Sequence, residues 1–255
     1  GQQAGERGHV MSKALQLAPI VKWIKEVCPD GQLYSDSREI KPESDPVFFA
    51  YEGDSADGRN YIAKAIENGA RAIVYESSDF DWNPEWKVPH LGITGLKANA
   101  GPIADAFYGS PARSMTIIAV TGTNGKTSTT QWIAQALSSL GKKTAVIGTL
   151  GVSVFEDGTG GDSEETGYTT PDQVQLQRIL AELHSQEVKC VAIEASSIGI
   201  DQGRLNGLTI DIALFTNFTR DHLDYHHDME SYKAAKRRLF AWPGLKHAVL
   251  NLDDA

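Results

Sequence analysis

Cysteine is scarce in this sequence. There are two in 255 residues, Cys28 and Cys190, far apart and outside any C-x-x-C pair. That excludes a disulfide framework and a cysteine-built zinc module, and it reads as two reduced thiols in a cytoplasmic protein. No apolar run approaches the roughly 18 residues of a spanning helix, so no membrane span is expected. Positive charge is also short: Lys plus Arg number 24 against 33 Asp plus Glu, a formal charge of −9. Such a chain lacks the broad basic face that nucleic acid requires, so no nucleic-acid partner is expected. Anionic ligands must instead be held locally, by loops and helix ends. Internal repeats and low-complexity tracts are absent. The opening GQQAGERGHVMSK has no apolar centre and is not a secretory signal. Residues 1–12 read as a leader, with Met11 a candidate native start.

What is present is ordinary for a globular chain, 41% hydrophobic and 22% charged. The length suits one large domain or two modest ones. Residues 46–51 (PVFFAY) read as a buried strand. Residues 61–68 (YIAKAIEN) carry apolar side chains on one helical face, with Gly69 as the stop, and residues 71–75 (RAIVY) read as the next strand. Strand, helix, strand implies a right-handed parallel unit. A helix is expected over 96–107. The run YGSPARS, residues 108–114, mixes Gly, Pro and Ser and marks a boundary. Domains are therefore expected at 13–111 and 112–255.

The second segment opens on the β-branched run TIIAV, residues 116–120. A helix over 126–140 closed by Gly141, a strand over 144–147 and a helix over 173–184 follow. Strands over 190–194 and 210–215, a helix over 230–240 and a strand over 248–252 complete it. The fold class is α/β: an N-terminal α/β domain, then a mostly parallel α/β domain of the phosphate-loop type. The chain stops at Asp253-Asp254-Ala255 without a closing helix, so it reads as truncated.

The sharpest motif is Thr121-Gly122-Thr123-Asn124-Gly125-Lys126-Thr127-Ser128, set between a strand and a helix. Glycines let the main chain wrap phosphates, and a helix N-terminus adds partial positive charge. Lys126 can reach the β- and γ-phosphates of a nucleotide, and the Thr127 hydroxyl is placed for Mg²⁺. The spacing is shorter than G-x-x-x-x-G-K-[ST], since Val120 stands where that pattern has its first glycine. Glu194 closes the predicted strand VAIEA, a position where a carboxylate can bind Mg²⁺. Residues 217–227, NFTRDHLDYHH, follow another strand. His222 and His226 there are spaced i, i+4, beside Asp221 and Asp224. Three readings stand: a zinc site lacking a clear third ligand, a polar surface cluster, or a magnesium-proximal His222.

The loop TGTNGKTS resembles the ATP loop of the Mur ligases, which build the peptide of peptidoglycan, and folylpolyglutamate synthases share it. The stretch D-H-L-D, with Lys236 fourteen residues after His222, is similar to the Mur ligase pattern. Further elements resemble the UDP-N-acetylmuramoyl-tripeptide synthetase branch. These are Ser35-Asp36-Ser37-Arg38 with Gly53-Asp54-Ser55-Ala56-Asp57-Gly58, Thr169-Thr170-Pro171-Asp172, and Glu194-Ala195-Ser196-Ser197 with Gln202 and Arg204. Many members read His-Gln-Ala where this chain has Asp54-Ser55-Ala56. The likeness spans residues 33–255.

The resemblance implies a UDP-binding N-terminal domain and part of an ATPase domain. The activity it implies is ATP-dependent addition of a diamino acid, meso-diaminopimelate or L-lysine, to UDP-MurNAc-L-Ala-D-Glu through an acyl phosphate, in a cytoplasmic monomer. It implies ATP on residues 122–128 and Mg²⁺ near Thr127, Glu194 and His222, with Lys126, His222 and Lys236 catalytic. Lys236 would carry a carbamate that helps hold metal. A free lysine is roughly one part in 2,500 neutral at pH 7, and desolvation raises that fraction. Substrate contacts are implied for Ser37, Asp54, Ser55, Ala56, Thr169, Thr170, Ser196, Gln202 and Arg204, the last suited to a pyrophosphate. Family members run to about twice this length, so the chain is not expected to complete ligation alone. A folylpolyglutamate synthase and a stand-alone nucleotide-binding module remain the alternatives.

Overall fold

The computed structural model describes residues 15–218 and 229–253. The leader expected over 1–12 and the segment 219–228, His222 included, lie outside the described residues. Two sheets organise the rest. The first unit runs α1 (Leu17–Val27), β1 (Leu33–Tyr34), β2 (Val47–Ala50), α2 (Ile62–Glu67), β3 (Ala72–Glu76), β4 (His90–Ile93) and α3 (Leu96–Phe107). Its strands form a parallel sheet in sequential order. The run VFFA is apolar throughout because both of its faces are buried. Val47 and Phe49 face the cluster that contains α1 and α3, while Phe48 and Ala50 face the one containing α2. Phe48 and Phe49 are each 1% exposed, a burial that stabilises by about 1.5–3 kcal/mol per side chain.

The second unit runs β5 (Thr116–Thr121), α4 (Lys126–Ser139), β6 (Thr144–Gly148), β7 (Gly151–Glu156), β8 (Thr159–Gly160), α5 (Gln173–Ser185), β9 (Cys190–Glu194), α6 (Ser197–Asp201), β10 (Ile212–Phe215), α7 (Met229–Phe240) and β11 (His247–Leu250). The sheet order is β11-β10-β5-β9-β6-β7-β8, parallel except at the antiparallel β6–β7 and β7–β8 pairs. β5 is an interior strand, with β10 on one side and β9 on the other. The carboxyl ends of three adjacent strands therefore open onto one edge. Helix α4 ends at Gly141 in the left-handed region, where the Lys142 N–H donates to the Leu137 carbonyl at 3.0 Å. The expected helices and strands are all present within a few residues. Helices α1 and α6, strands β1 and β4 and the β7–β8 ribbon lie outside the expected elements.

The two units are joined through the N-terminus of α5. Asp172 caps that helix, accepting from the Gln175 N–H at 2.9 Å, and it also accepts from Ser35 Oγ at 2.7 Å and from the Tyr51 hydroxyl. Arg178, one helical turn and a half further on, donates to Glu39 Oε2 at 2.6 Å and to the Leu33 carbonyl at 2.5 Å. Gln173 donates to the Lys97 carbonyl at 2.9 Å. At Gly101 of α3, a Cβ would stand 1.8 Å from the Asn206 carbonyl oxygen, so the two units meet there backbone to backbone.

Gly101→Ala must push the units apart. It is expected to cost about 1–3 kcal/mol by analogy with overpacked cores, read as a lowered midpoint in urea denaturation. A second expectation concerns alkaline pH. Burial, reinforced by the nearby Asp172 charge, holds the Tyr51 phenol well above its ordinary range. Burial likewise pushes Tyr108 up to about 12 and the Cys28 thiol up to about 11. The fold keeps these protons where the unfolded chain releases them. The stabilisation is thus complete below the ordinary pKa values and is lost as pH rises through the raised ones. Stability measured by chemical denaturation should fall from about pH 9 upward, and Tyr51→Phe should flatten part of that slope.

Candidate functional site

The loop after β5 is shaped by its neighbours as much as by its glycines. Gly122 has φ of +142°, and a Cβ there would stand 1.8 Å from Thr216 Oγ1. Thr216 and Asn217, which follow β10, grip the loop. The Thr216 hydroxyl donates to the Asn124 carbonyl at 2.6 Å. Asn217 accepts from the Asn124 N–H at 2.9 Å and donates back to the Asn124 carbonyl at 3.0 Å. Its own carbonyl accepts from the Thr123 N–H at 2.9 Å. Gly125 (φ +84°) then turns the chain into α4. Lys126, half-buried at the first position of that helix, donates to the Gly122 carbonyl at 2.8 Å and the Thr123 carbonyl at 3.3 Å.

On the other side, β9 delivers Glu194, 1% exposed. An enclosed carboxylate needs donors, and it has them. Thr127 Oγ1 donates to Oε1 at 2.8 Å, and the Thr149 N–H donates to Oε2 at 2.7 Å. The Thr149 hydroxyl adds a contact to Oε1 at 3.3 Å. Gly148, at the end of β6, leaves room for this carboxylate: a Cβ there would stand 1.7 Å from Glu194 Oε2. Thr123 to Ser128, Thr149, Thr169, Glu194 and Ser196 line a cleft of about 620 Å³.

A second cleft, about 350 Å³, lies between the units. Ser37, Asp54, Ser55, Ala56, Gln202 and Arg204 line it, with Asp36, Arg38, Tyr51, Lys97 and Asp172. Asp36 is held below the usual carboxylate range by its hydrogen bond from Arg38. Lys97 Nζ donates to Gln202 Oε1 at 2.7 Å. Arg204 donates to the Thr170 carbonyl at 3.1 Å, pairs with Asp54 and lies 4.9 Å from the centre of the Tyr168 ring. Tyr168 and Arg204 line both clefts, so they form a shared wall.

Most of the expected site residues are thus brought together in two adjoining clefts. Two are placed beneath them. Gly122 is buried under the loop, and Thr170 is 0% exposed. The Thr170 hydroxyl donates to the Glu194 carbonyl at 2.7 Å and lies 3.1 Å from Ser196 Oγ. Ser196 in turn caps α6 by accepting from the Gly199 N–H at 3.0 Å. Lys236 lies on α7, 4% exposed, unlike the solvated lysines of most helix surfaces. Six participants were not singled out in the sequence: Tyr51, Lys97, Thr149, Tyr168, Thr216 and Asn217. Thr216 and Asn217 directly follow an expected strand, which was their one legible signal.

Comparison with known proteins gives the chain's relatives. The profile of the Mur ligase family catalytic domain matches residues 32–108, and that of the Mur ligase middle domain matches residues 120–255. A UDP-N-acetylmuramoyl-L-alanyl-D-glutamate–2,6-diaminopimelate ligase of Janthinobacterium sp. (strain Marseille) is 58% identical over 239 residues, covering 94% of this chain and 47% of that protein. The ligase of the same name from Nitrosomonas europaea is 50% identical over 222 residues, covering 87% of this chain and 41% of the relative. The solved structure of a ligase of that name superposes with a TM-score of 0.69 at 35% identity, over 88% of this chain and 43% of its own. The chain therefore spans about half the length of the curated relatives it matches. With the middle-domain profile covering more than half of its residues, the chain belongs to the Mur ligase family.

Proposed function

We propose that this chain provides the nucleotide-sugar and ATP sites of an ATP-dependent ligase of peptidoglycan precursor synthesis. In this reading the ligase joins 2,6-diaminopimelate to UDP-MurNAc-L-Ala-D-Glu in the cytoplasm. Of the two diamino acids compatible with the motifs, diaminopimelate is the one in the relatives' names. The observation that carries the reading is the pair of adjoining clefts. One is lined by the phosphate-type loop, the other by the D-S-R and Gly53–Gly58 elements, and Arg204 stands between them.

The loop cleft takes ATP. Main-chain N–H groups at the start of α4 face the phosphates, and Lys126 exchanges its carbonyl partners for phosphate oxygens. The inter-unit cleft takes the uridine diphosphate, with Ser37 and the 54–56 turn toward the nucleoside. Gln202 and Arg204 lie toward the diphosphate. The D-glutamyl carboxylate then reaches the γ-phosphate past the shared wall. It attacks phosphorus, the bond to the ADP oxygen breaks, and an acyl phosphate results. The incoming amine displaces phosphate and leaves an amide. Carboxylate and γ-phosphate repel, so cationic groups must hold them together.

Among the described residues no three His, Cys, Asp or Glu side chains are grouped to hold a metal by themselves. A single carboxylate and a hydroxyl, Glu194 and Thr127, suit Mg²⁺ that arrives with a nucleotide, because this ion commonly takes one or two protein oxygens plus phosphate oxygens. Bound there, Mg²⁺ supplies charge neutralisation. The family resemblance gives His222 a role toward the same ion. The buried Lys236 amine is assigned as the group that adds to CO₂, forming an N–C bond and losing a proton to become an anionic carbamate.

Thermal shift separates these assignments. The unaltered chain should be stabilised by Mg-ATP and, independently, by UDP-MurNAc-L-Ala-D-Glu. Lys126→Ala should lose the ATP shift and keep the UDP-sugar shift. Stabilisation by folate in place of the UDP-sugar would sink the reading, and survival of both shifts in Lys126→Ala would sink the loop assignment.

A further inference from the structure

Arg204 is the enclosed cation of the inter-unit cleft, its side chain 11% exposed, against 30% for Asp54. A guanidinium stripped of water needs charged or carbonyl acceptors. One side of its fork is satisfied inside the second unit by the Thr170 carbonyl. The other side is satisfied from the first unit, where Nη2 donates to the Asp54 carboxylate. Asp54 sits at the tip of a turn whose base is pinned. The Gly53 N–H donates to the Ala56 carbonyl at 2.8 Å, and the Gly58 N–H donates to the Tyr51 carbonyl at 2.9 Å. Asp54, Ser55 and Ala56 themselves are exposed. A swing of the tip would leave that pinned base in place.

A carboxylate oxygen and a phosphate oxygen are alternative acceptors for the same guanidinium N–H groups. Nη2 carries two N–H groups, but a carboxylate and a phosphate held side by side on them repel. We propose that Asp54 is a built-in competitor for Arg204, so that a diphosphate-bearing ligand enters the cleft by displacing this carboxylate, and the Asp54–Ser55 tip of the turn moves as it binds. This inference rests on the reading of the cleft as a nucleotide-sugar site. It makes Asp54 an affinity-setting residue within the turn that faces the nucleoside. A site that is open a tenth of the time binds about tenfold more weakly than the same site held open.

The test is titration calorimetry with UDP-MurNAc-L-Ala-D-Glu on the unaltered chain, Asp54→Asn, Asp54→Ser and Glu52→Gln. Glu52 is an exposed carboxylate two residues away and controls for the loss of one negative charge. Both Asp54 variants should bind about tenfold more tightly if the pair is closed nine-tenths of the time, while Glu52→Gln stays near the unaltered chain. Thermal denaturation checks that each variant is folded. Equal affinity in the unaltered chain and the folded Asp54 variants, or the same gain in Glu52→Gln, would overturn the competitor and leave the cleft reading standing. Binding absent from all four proteins would overturn the cleft reading, and the competitor with it.

Discussion

Glu194 is the hinge of the whole arrangement, because a carboxylate enclosed to 1% exposure must organise donors around itself. It draws in the Thr127 hydroxyl from the first turn of α4 and the Thr149 N–H from beyond β6. Its own carbonyl takes the Thr170 hydroxyl. Three separate stretches of chain are thereby tied to the end of one strand. The parallel order β10-β5-β9-β6 makes this possible, since it sets all four carboxyl ends along the same edge. Without that order the loop after β5 would have no carboxylate on one side and no Thr216–Asn217 grip on the other.

The junction between the units works by charge and capping around one apolar anchor, Val174 of α5, which is buried in the first unit's core cluster. Asp172 does two jobs, ending the orphan donors of α5 and receiving Ser35 and Tyr51 from the first unit. Arg178 and Glu39 add an ion pair at 2.6 Å. With side-chain exposures of 18% and 34%, that pair is partly screened, so its weight lies in orientation more than in stability. The result is a wall on the second unit, carrying Arg204, that faces the Asp54 turn on the first.

Much of this was legible in the sequence where the physics is local. A strand buried on both faces shows as an uninterrupted apolar run, which is why TIIAV, CVAIE and PVFFAY could be read directly. Phosphate-type loops are legible because glycine, lysine and threonine are each required at a given spacing. The ribbon β7–β8 escaped notice because GVSVFE alternates weakly and its partner strand is two residues long. Helix α1 has a clear apolar face but no side-chain cap to announce it. The partners of Asp172 were illegible in a stronger sense. Ser35 and Tyr51 lie 137 and 121 residues away in the chain, and nothing local in TTPD distinguishes a capping aspartate from one that also clasps a neighbouring unit. Thr170 shows the converse: a motif residue whose hydroxyl turns inward to hold the Glu194 backbone.

One guanidinium and one phenol ring separate the two chambers. A ligand on either side that shifts Arg204 or Tyr168 alters the free energy of filling the other, and thermodynamic linkage makes that influence mutual. The partition is thin, and its one cation lines both chambers.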